Sequence, residues 1–180
     1  MIILDGQKEI EYEGNTRVVI GKFDGIHLGH RKLISMITGK EDSLKSVVFT
    51  FSRASKVFSD ENERLLSEDK RREKFESLGV DYLVEYELNE KTSKMEPEEF
   101  ARKILKNRLH AAEVYCGPDL SFGYRGRGNV ELLKSMEDEL SIKVIVIDKV
   151  RYMGEDISSS RIREALLRGD VKDAEKMMEG

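Results

Sequence analysis

The chain has 180 residues, 37% charged and 39% hydrophobic, a balance that suits one well-filled core and gives no reason to divide it into two domains. A formal net charge of −4 argues against a nucleic-acid platform, although a local basic cluster can still bind phosphate on a small molecule. The single cysteine excludes an internal disulfide framework and a cysteine-based zinc site. No segment approaches the roughly 20 apolar residues that span a bilayer, so a cytoplasmic protein without membrane contact is expected.

In chain order, residues 1–13 read as a short strand and turn at a sheet edge. Apolar, β-branched runs follow at 17–20, 47–51, 82–84, 114–116 and 144–147, each nearly continuous, as in strands covered on both faces. Cys116 lies in one of these runs and reads as a buried, inert thiol. Helical spacing fills the gaps: 28–37 carries Leu33, Ile34 and Ile37, and 67–78 opens on a serine cap and two acids. A third helix begins at Pro97 with Phe100, Ile104 and Leu105 on one stripe, and 129–140 presents Leu132, Leu133, Met136 and Leu140. The charge run 61–74 reads as a solvated helix face with its approach. At the end, 157–167 reads as a helix stopped by Gly169, and Asp170 caps a last helix through Met178, with Met177 and Met178 as core or interface. Strands alternating with helices predict a single Rossmann-like α/β domain over residues 1–180, with a mostly parallel sheet and helices on both faces.

Three constellations carry chemistry. Residues 21–30 read Gly-Lys-Phe-Asp-Gly-Ile-His-Leu-Gly-His, where a strand hands over to a helix. His27 and His30 flank the first helical turn, where free N–H groups and the helix dipole favour an anion, and Gly29 leaves room for close approach of a phosphate. The two histidines could instead be helix caps, or two ligands of a transition-metal site that no third residue at a recognisable spacing completes. Residues 157–163 place three serines before Arg161 and Arg163 at a second helix start. Guanidinium forks suit polyphosphate oxygens, but two residues apart they cannot share a helical face, so one of the two should face the ligand. Residues 116–128 form a long loop rich in glycine, aromatics and arginine at the carboxyl end of a strand, where α/β proteins place ligands. Phe122 or Tyr124 could stack on a planar ring there, or simply pack the loop.

These motifs resemble the adenylyltransferase module of bacterial FAD synthetases, within the His-x-Gly-His nucleotidyltransferase superfamily. The matching patterns are Gly-x-Phe-Asp-Gly-x-His-x-Gly-His at 21–30, Gly-x-Asp-x-x-Phe-Gly at 117–123 and Ile-Ser-Ser-x-x-Ile-Arg at 157–163. Minor similarities at 66–70, 78–81, 95–100 and 163–171 extend the likeness from about residue 17 to residue 180. The resemblance implies a nucleotidyltransferase fold and the reaction of FMN with ATP to give FAD and pyrophosphate, with Mg2+. It implies that His27, His30 and Arg163 carry catalysis, that Gly21, Phe23, Asp24, Gly25, Gly29 and Ser159 complete the ATP site, and that Asp119, Phe122 and Phe58 face the flavin. Asp119 is also the metal candidate by this likeness.

Two departures from the family pattern matter. Residues 52–55 read Ser-Arg-Ala-Ser where the family has Asp-Pro-His-Pro, just before Lys56-Val57-Phe58. That leaves open a related nucleotidyltransferase whose acceptor phosphate meets Arg53 and Lys56, or a non-catalytic flavin- or nucleotide-binding paralogue. Family members usually continue into a β-barrel riboflavin kinase, which these 180 residues do not contain. The expectation is a stand-alone module or a sequence that stops at the domain boundary.

Overall fold

Six short strands, the central ones apolar on both faces, assemble into one sheet in a computed structural model that describes residues 1–6, 10–52 and 64–179. They are β1 (Ile2–Asp5), β2 (Thr16–Ile20), β3 (Lys45–Phe51), β4 (Tyr82–Tyr86), β5 (Ala111–Cys116) and β6 (Lys143–Val146). Their order is β1-β4-β3-β2-β5-β6, and every neighbouring pair is parallel. The edge position of β1 matches the expectation for the N-terminal segment. The sheet itself is wholly parallel; the antiparallel component is a separate hairpin of β7 (Arg151–Tyr152) and β8 (Glu155–Asp156).

Alternate side chains of the strands feed two cores. Val18, Val47, Val84 and Val114 point to the face covered by α3 (Pro97–Phe100), which continues as π-helical turns over Ala101–Arg108, and by α4 (Val130–Ser135) and α5 (Glu137–Leu140). Val19, Val48, Leu83 and Tyr115 point to the other face, against Ile34 of α1 (Leu28–Ser35) and Phe75 of α2 (Glu68–Ser77). A third cluster joins α6 (Ser159–Leu167) to α7 (Val171–Glu179) through Ile162, Ala165, Ala174 and Met177, with Leu28 of α1 packed against it. This third core fastens the C-terminal helices beside the start of α1.

Several local details differ from the sequence reading. The helix expected over 129–140 breaks at Met136, whose φ of −100° and ψ of 1° separate α4 from α5 while its side chain stays buried. The apolar spacing is therefore served by two short helices. Ile37 lies beyond the end of α1 yet remains in the core, because its N–H turns back to the Ile34 carbonyl at 3.0 Å. The β7–β8 hairpin turns at Met153 and Gly154, both with positive φ, the hand that suits a two-residue hairpin loop. The charge run is not uniformly solvated: Arg71 is fully buried and donates to Glu85 Oε1 at 3.0 Å. Cys116 is buried, and burial pushes its thiol up to about 11, an inert group as expected. Among the described residues no helix is long and apolar enough to cross a membrane.

The connectivity also sets the place for a ligand. From β2 the chain moves outward through α1 to β3 and through α2 to β4, then returns across the sheet to β5 on the opposite side of β2. The loops leaving β2 and β5 therefore diverge, opening a crevice at their carboxyl ends.

Candidate active site

A cavity of about 410 Å³ occupies that crevice and extends across the carboxyl ends of β3, β2, β5 and β6. Its wall includes Gly21, Phe23, His27, Gly29 and His30 from the first motif, Asp119 from the second and Ser159 from the third. Three segments far apart in sequence thus converge on one volume, held by the parallel order of the strands and by the packing of α6 against α7.

His27 caps α1, and the N–H of His30 donates to its Nδ1 at 3.4 Å. With Nδ1 accepting, the neutral ring carries its proton on Nε2, which leaves that N–H as a donor. The two rings are stacked, centroids 3.7 Å apart and 18° from coplanar, and the His30 ring also packs on Phe23. Burial lowers His27 to about 4, partly offset by the Asp24 carboxylate. Burial drives His30 well below the ordinary histidine value as well, with the neighbouring His27 adding to the shift. Both rings are therefore neutral donors at neutral pH, and His30 Nδ1 is buried without a hydrogen-bond partner among the described residues. Capping and a place on the cavity wall coexist here: His27 caps through Nδ1, and both rings line the cavity.

The loop before α1 is under backbone strain. Phe23 and Ile26 have φ of 49° and 47°, in the left-handed region that bulky and β-branched residues avoid, and both are fully buried. Packing enforces that shape. A Cβ on Gly25 would lie 2.7 Å from Leu65 Cδ1, and one on Gly29 would lie 3.3 Å from the His27 ring. Gly29 thus makes room for the His27 imidazole. Beneath the loop, Thr50 Oγ1 donates to the Lys22 carbonyl at 2.9 Å, and Arg71 bonds both that carbonyl and Thr50.

Asp24 is 7% exposed and accepts a charge-assisted bond from Arg163 at 2.7 Å, which ties the first motif to α6. Neither side chain is part of the cavity wall. Arg161 points elsewhere: its guanidinium donates to the carbonyls of Tyr152 and Glu155 and fastens the β7–β8 hairpin to α6. The two arginines do diverge, as their spacing requires. Ser158 caps α6 by accepting from the Arg161 N–H at 3.2 Å, which leaves Ser159 as the first helical residue at the cavity.

Asp119 reaches the wall but forms an ion pair with Lys149 at 2.9 Å. Phe122 is not brought to the cavity. It is 4% exposed, packs against Phe100 at 5.5 Å between centroids, and pairs through its backbone with Gly128. Loop packing, the plainer of its two readings, is what this aromatic does; Leu120 and Ser121 stand on the wall instead. Phe58, Arg53 and Lys56 lie outside the described residues. Sequence reasoning did not single out Lys22, Asp148 or Lys149, which also line the cavity. Their position just past the carboxyl ends of β2 and β6 was the available signal. Among the described residues, no group of three or more His, Cys, Asp or Glu side chains is assembled as a metal site.

The family model of FAD synthetase matches residues 9–161. The chain is 32% identical over 170 residues to a bifunctional riboflavin kinase/FMN adenylyltransferase of Buchnera aphidicola subsp. Schizaphis graminum, covering 91% of this chain and 54% of that protein. It is 28% identical over 167 residues to a FAD synthetase of Listeria monocytogenes, covering 89% of this chain and 67% of that protein. The chain spans about half the length of the first of these relatives. Among solved structures, a protein described as a macrolide-efflux protein from Streptococcus pneumoniae superimposes with a TM-score of 0.82 at 29% identity, covering 98% of this chain and 60% of that one. A pantoate-beta-alanine ligase from Francisella tularensis, complexed with beta-gamma ATP and beta-alanine, shares the fold at a TM-score of 0.56 and 17% identity, covering 93% of this chain and 79% of the other.

Proposed function

The chain belongs to the FAD synthetase family, and from that premise we propose that it is an FMN adenylyltransferase, converting FMN and ATP to FAD and pyrophosphate. The observation that carries the proposal is the convergence of two helix N-termini and a stacked pair of neutral histidines on one cavity at the sheet's switch point. Free N–H groups at the starts of α1 and α6 suit the triphosphate. His27 Nε2 and the His30 ring supply donors to oxygens on which charge grows as the α-phosphorus is attacked, and they are already in place before reaction. Arg163, held by Asp24, keeps α6 against the loop that carries the histidines.

In this reading the flavin phosphate oxygen attacks the α-phosphorus in line, a new P–O bond forms, and the α–β bridging bond breaks with its electron pair leaving on pyrophosphate. No protein nucleophile takes part; the enzyme contributes position and electrostatics. Mg2+ fits this donor set as a companion of the nucleotide, because it retains most of its waters and needs only one or two protein carboxylates. Asp119, with Asp148 nearby on the wall, would hold it, and its charge would offset that of the phosphates. Incubating the protein with ATP, Mg2+ and FMN and following FAD and pyrophosphate by chromatography tests the proposal. FAD is expected, and His30→Ala should lower turnover by roughly 10²-fold or more. Absence of FAD with intact ATP binding would overturn it.

A further inference from the structure

The charges on the cavity wall are unevenly matched. Of the two lysines there, Lys149 is neutralised by Asp119 at 2.9 Å. Lys22 has an exposed side chain with no carboxylate partner among the described residues. The histidines bring no formal charge, since burial keeps them neutral. Two polyanionic reactants are thus to meet in a cavity where, among the described residues and apart from any Mg2+ carried by the nucleotide, Lys22 is the wall cation without a carboxylate partner in the free protein.

Its backbone is unusually well fixed for a residue that presents a flexible side chain. The Gly21 N–H donates to the Phe49 carbonyl at 3.2 Å, and the Lys22 carbonyl accepts from Thr50 at 2.9 Å. The buried Arg71, anchored by Glu85, supports the same carbonyl at 3.5 Å. The next residue, Phe23, holds the strained left-handed turn. These contacts aim Lys22 from the end of β2, on the β3 side of the cavity, where Phe51 also lines the wall. The segment after β6, which carries Asp148 and Lys149, lies on the other side of β2, beyond β5. In-line displacement demands that the attacking oxygen approach the α-phosphorus opposite the leaving pyrophosphate. With the leaving pyrophosphate directed towards the segment of Asp148 and Lys149, the attacking group comes from the side of Lys22 and Phe51.

We propose that the Lys22 ammonium binds the phosphate of the acceptor, making this residue the determinant that selects a phosphate monoester over its dephosphorylated counterpart. The inference rests on the adenylyl-transfer reading above. Lys22 offsets the repulsion between the acceptor phosphate and the triphosphate while the acceptor oxygen supplies the electron pair for the new P–O bond. The α–β bond breaks onto pyrophosphate, and Lys22 keeps its proton throughout.

The test compares the full chain with its Lys22→Met and Lys22→Arg variants, exposed substitutions that spare the core. Binding of FMN and of riboflavin, the probe that lacks the phosphate, is measured by flavin fluorescence, and KM is measured separately for FMN and ATP. The wild type should bind FMN at least about tenfold more tightly than riboflavin, as expected for one charge-assisted contact. Lys22→Met should abolish that preference and raise KM for FMN by a similar factor, with KM for ATP nearly unchanged, and Lys22→Arg should restore most of the preference. Equal affinities for the two flavins in the wild type, or a Lys22→Met effect confined to ATP, would overturn the inference. A wild type that makes no FAD but still prefers FMN through Lys22 would overturn the proposed activity alone. Failure to bind either flavin would overturn both.

Discussion

His27 and His30 sit with low proton affinity because the fold buries them, and that has a cost with a definite sign. Above pH 6.5 the rings are neutral in both the folded and unfolded chain. Between 6.5 and about 4 the unfolded chain takes up protons that folded His27, lowered mainly by burial, does not. His30 shifts in the same direction for the same first cause. Stability therefore falls as pH drops through this window, by up to about 1.4 kcal/mol per pH unit for each histidine. Carboxylates held low by their partners, such as Asp42 beside Arg17, begin to lose stability only below their ordinary value of 3.8. Thermal unfolding should thus be flat in pH above 7 and decline from 6.5 towards 4, and the decline should weaken in a His27→Gln, His30→Gln double variant. An unaltered slope in that variant would remove the histidines as its cause. The pairing of two histidines about Gly29 was legible in the sequence. Their neutrality was not, because it depends on burial in a loop where Phe23, in a backbone conformation no local propensity favours, packs on His30.

At the scale of elements, the strands were the most legible part, since a run such as Val18-Val19-Ile20 is apolar on both faces and has no other home than a covered parallel sheet. Helix ends were legible where a cap announces them, as Ser67 does for α2. The break at Met136 was not, because apolar spacing continues smoothly across it. The same limit hid Arg71 within a charge run: its burial rests on Glu85, Thr50 and the Lys22 carbonyl, none of them neighbours in sequence. Phe122 shows the converse, an aromatic in a glycine-rich loop drawn into the core by Phe100 rather than left for a ligand. The contact that most depends on tertiary placement is Asp24 with Arg163, 139 residues apart. It links the β2–α1 loop to α6, so it should behave as a clamp. Asp24→Asn and Arg163→Met are each expected to lower stability in urea by about 1–3 kcal/mol. Their double variant should lose less than the sum, with a coupling of about 0.5–3 kcal/mol. A coupling near zero would mean that the two elements are held together without the pair.

For the whole molecule, the cavity at the ends of the strands is also lined by Ile157, Ser158 and Ser159, so it borders two bodies with separate cores. The main body carries the sheet and α1; the third core, built from α6 and α7, meets it mainly at Leu28, Leu65 and the Asp24–Arg163 pair. A ligand that engages both helix starts adds a further link between these bodies, so its binding energy should appear as joint stabilisation. At an ATP concentration 100-fold above its dissociation constant, unfolding should become harder by about 2.7 kcal/mol. Hydrogen exchange should slow at the amides near Gly29–His30 and near Ser159–Arg161 together, and at the same ATP concentrations. Those amides lie at the open ends of α1 and α6, where exchange in the free protein requires only local opening. Protection of one set without the other would show that the two helix starts do not share a ligand. The spatial convergence of the first and third motifs would then be a matter of packing rather than of a common nucleotide.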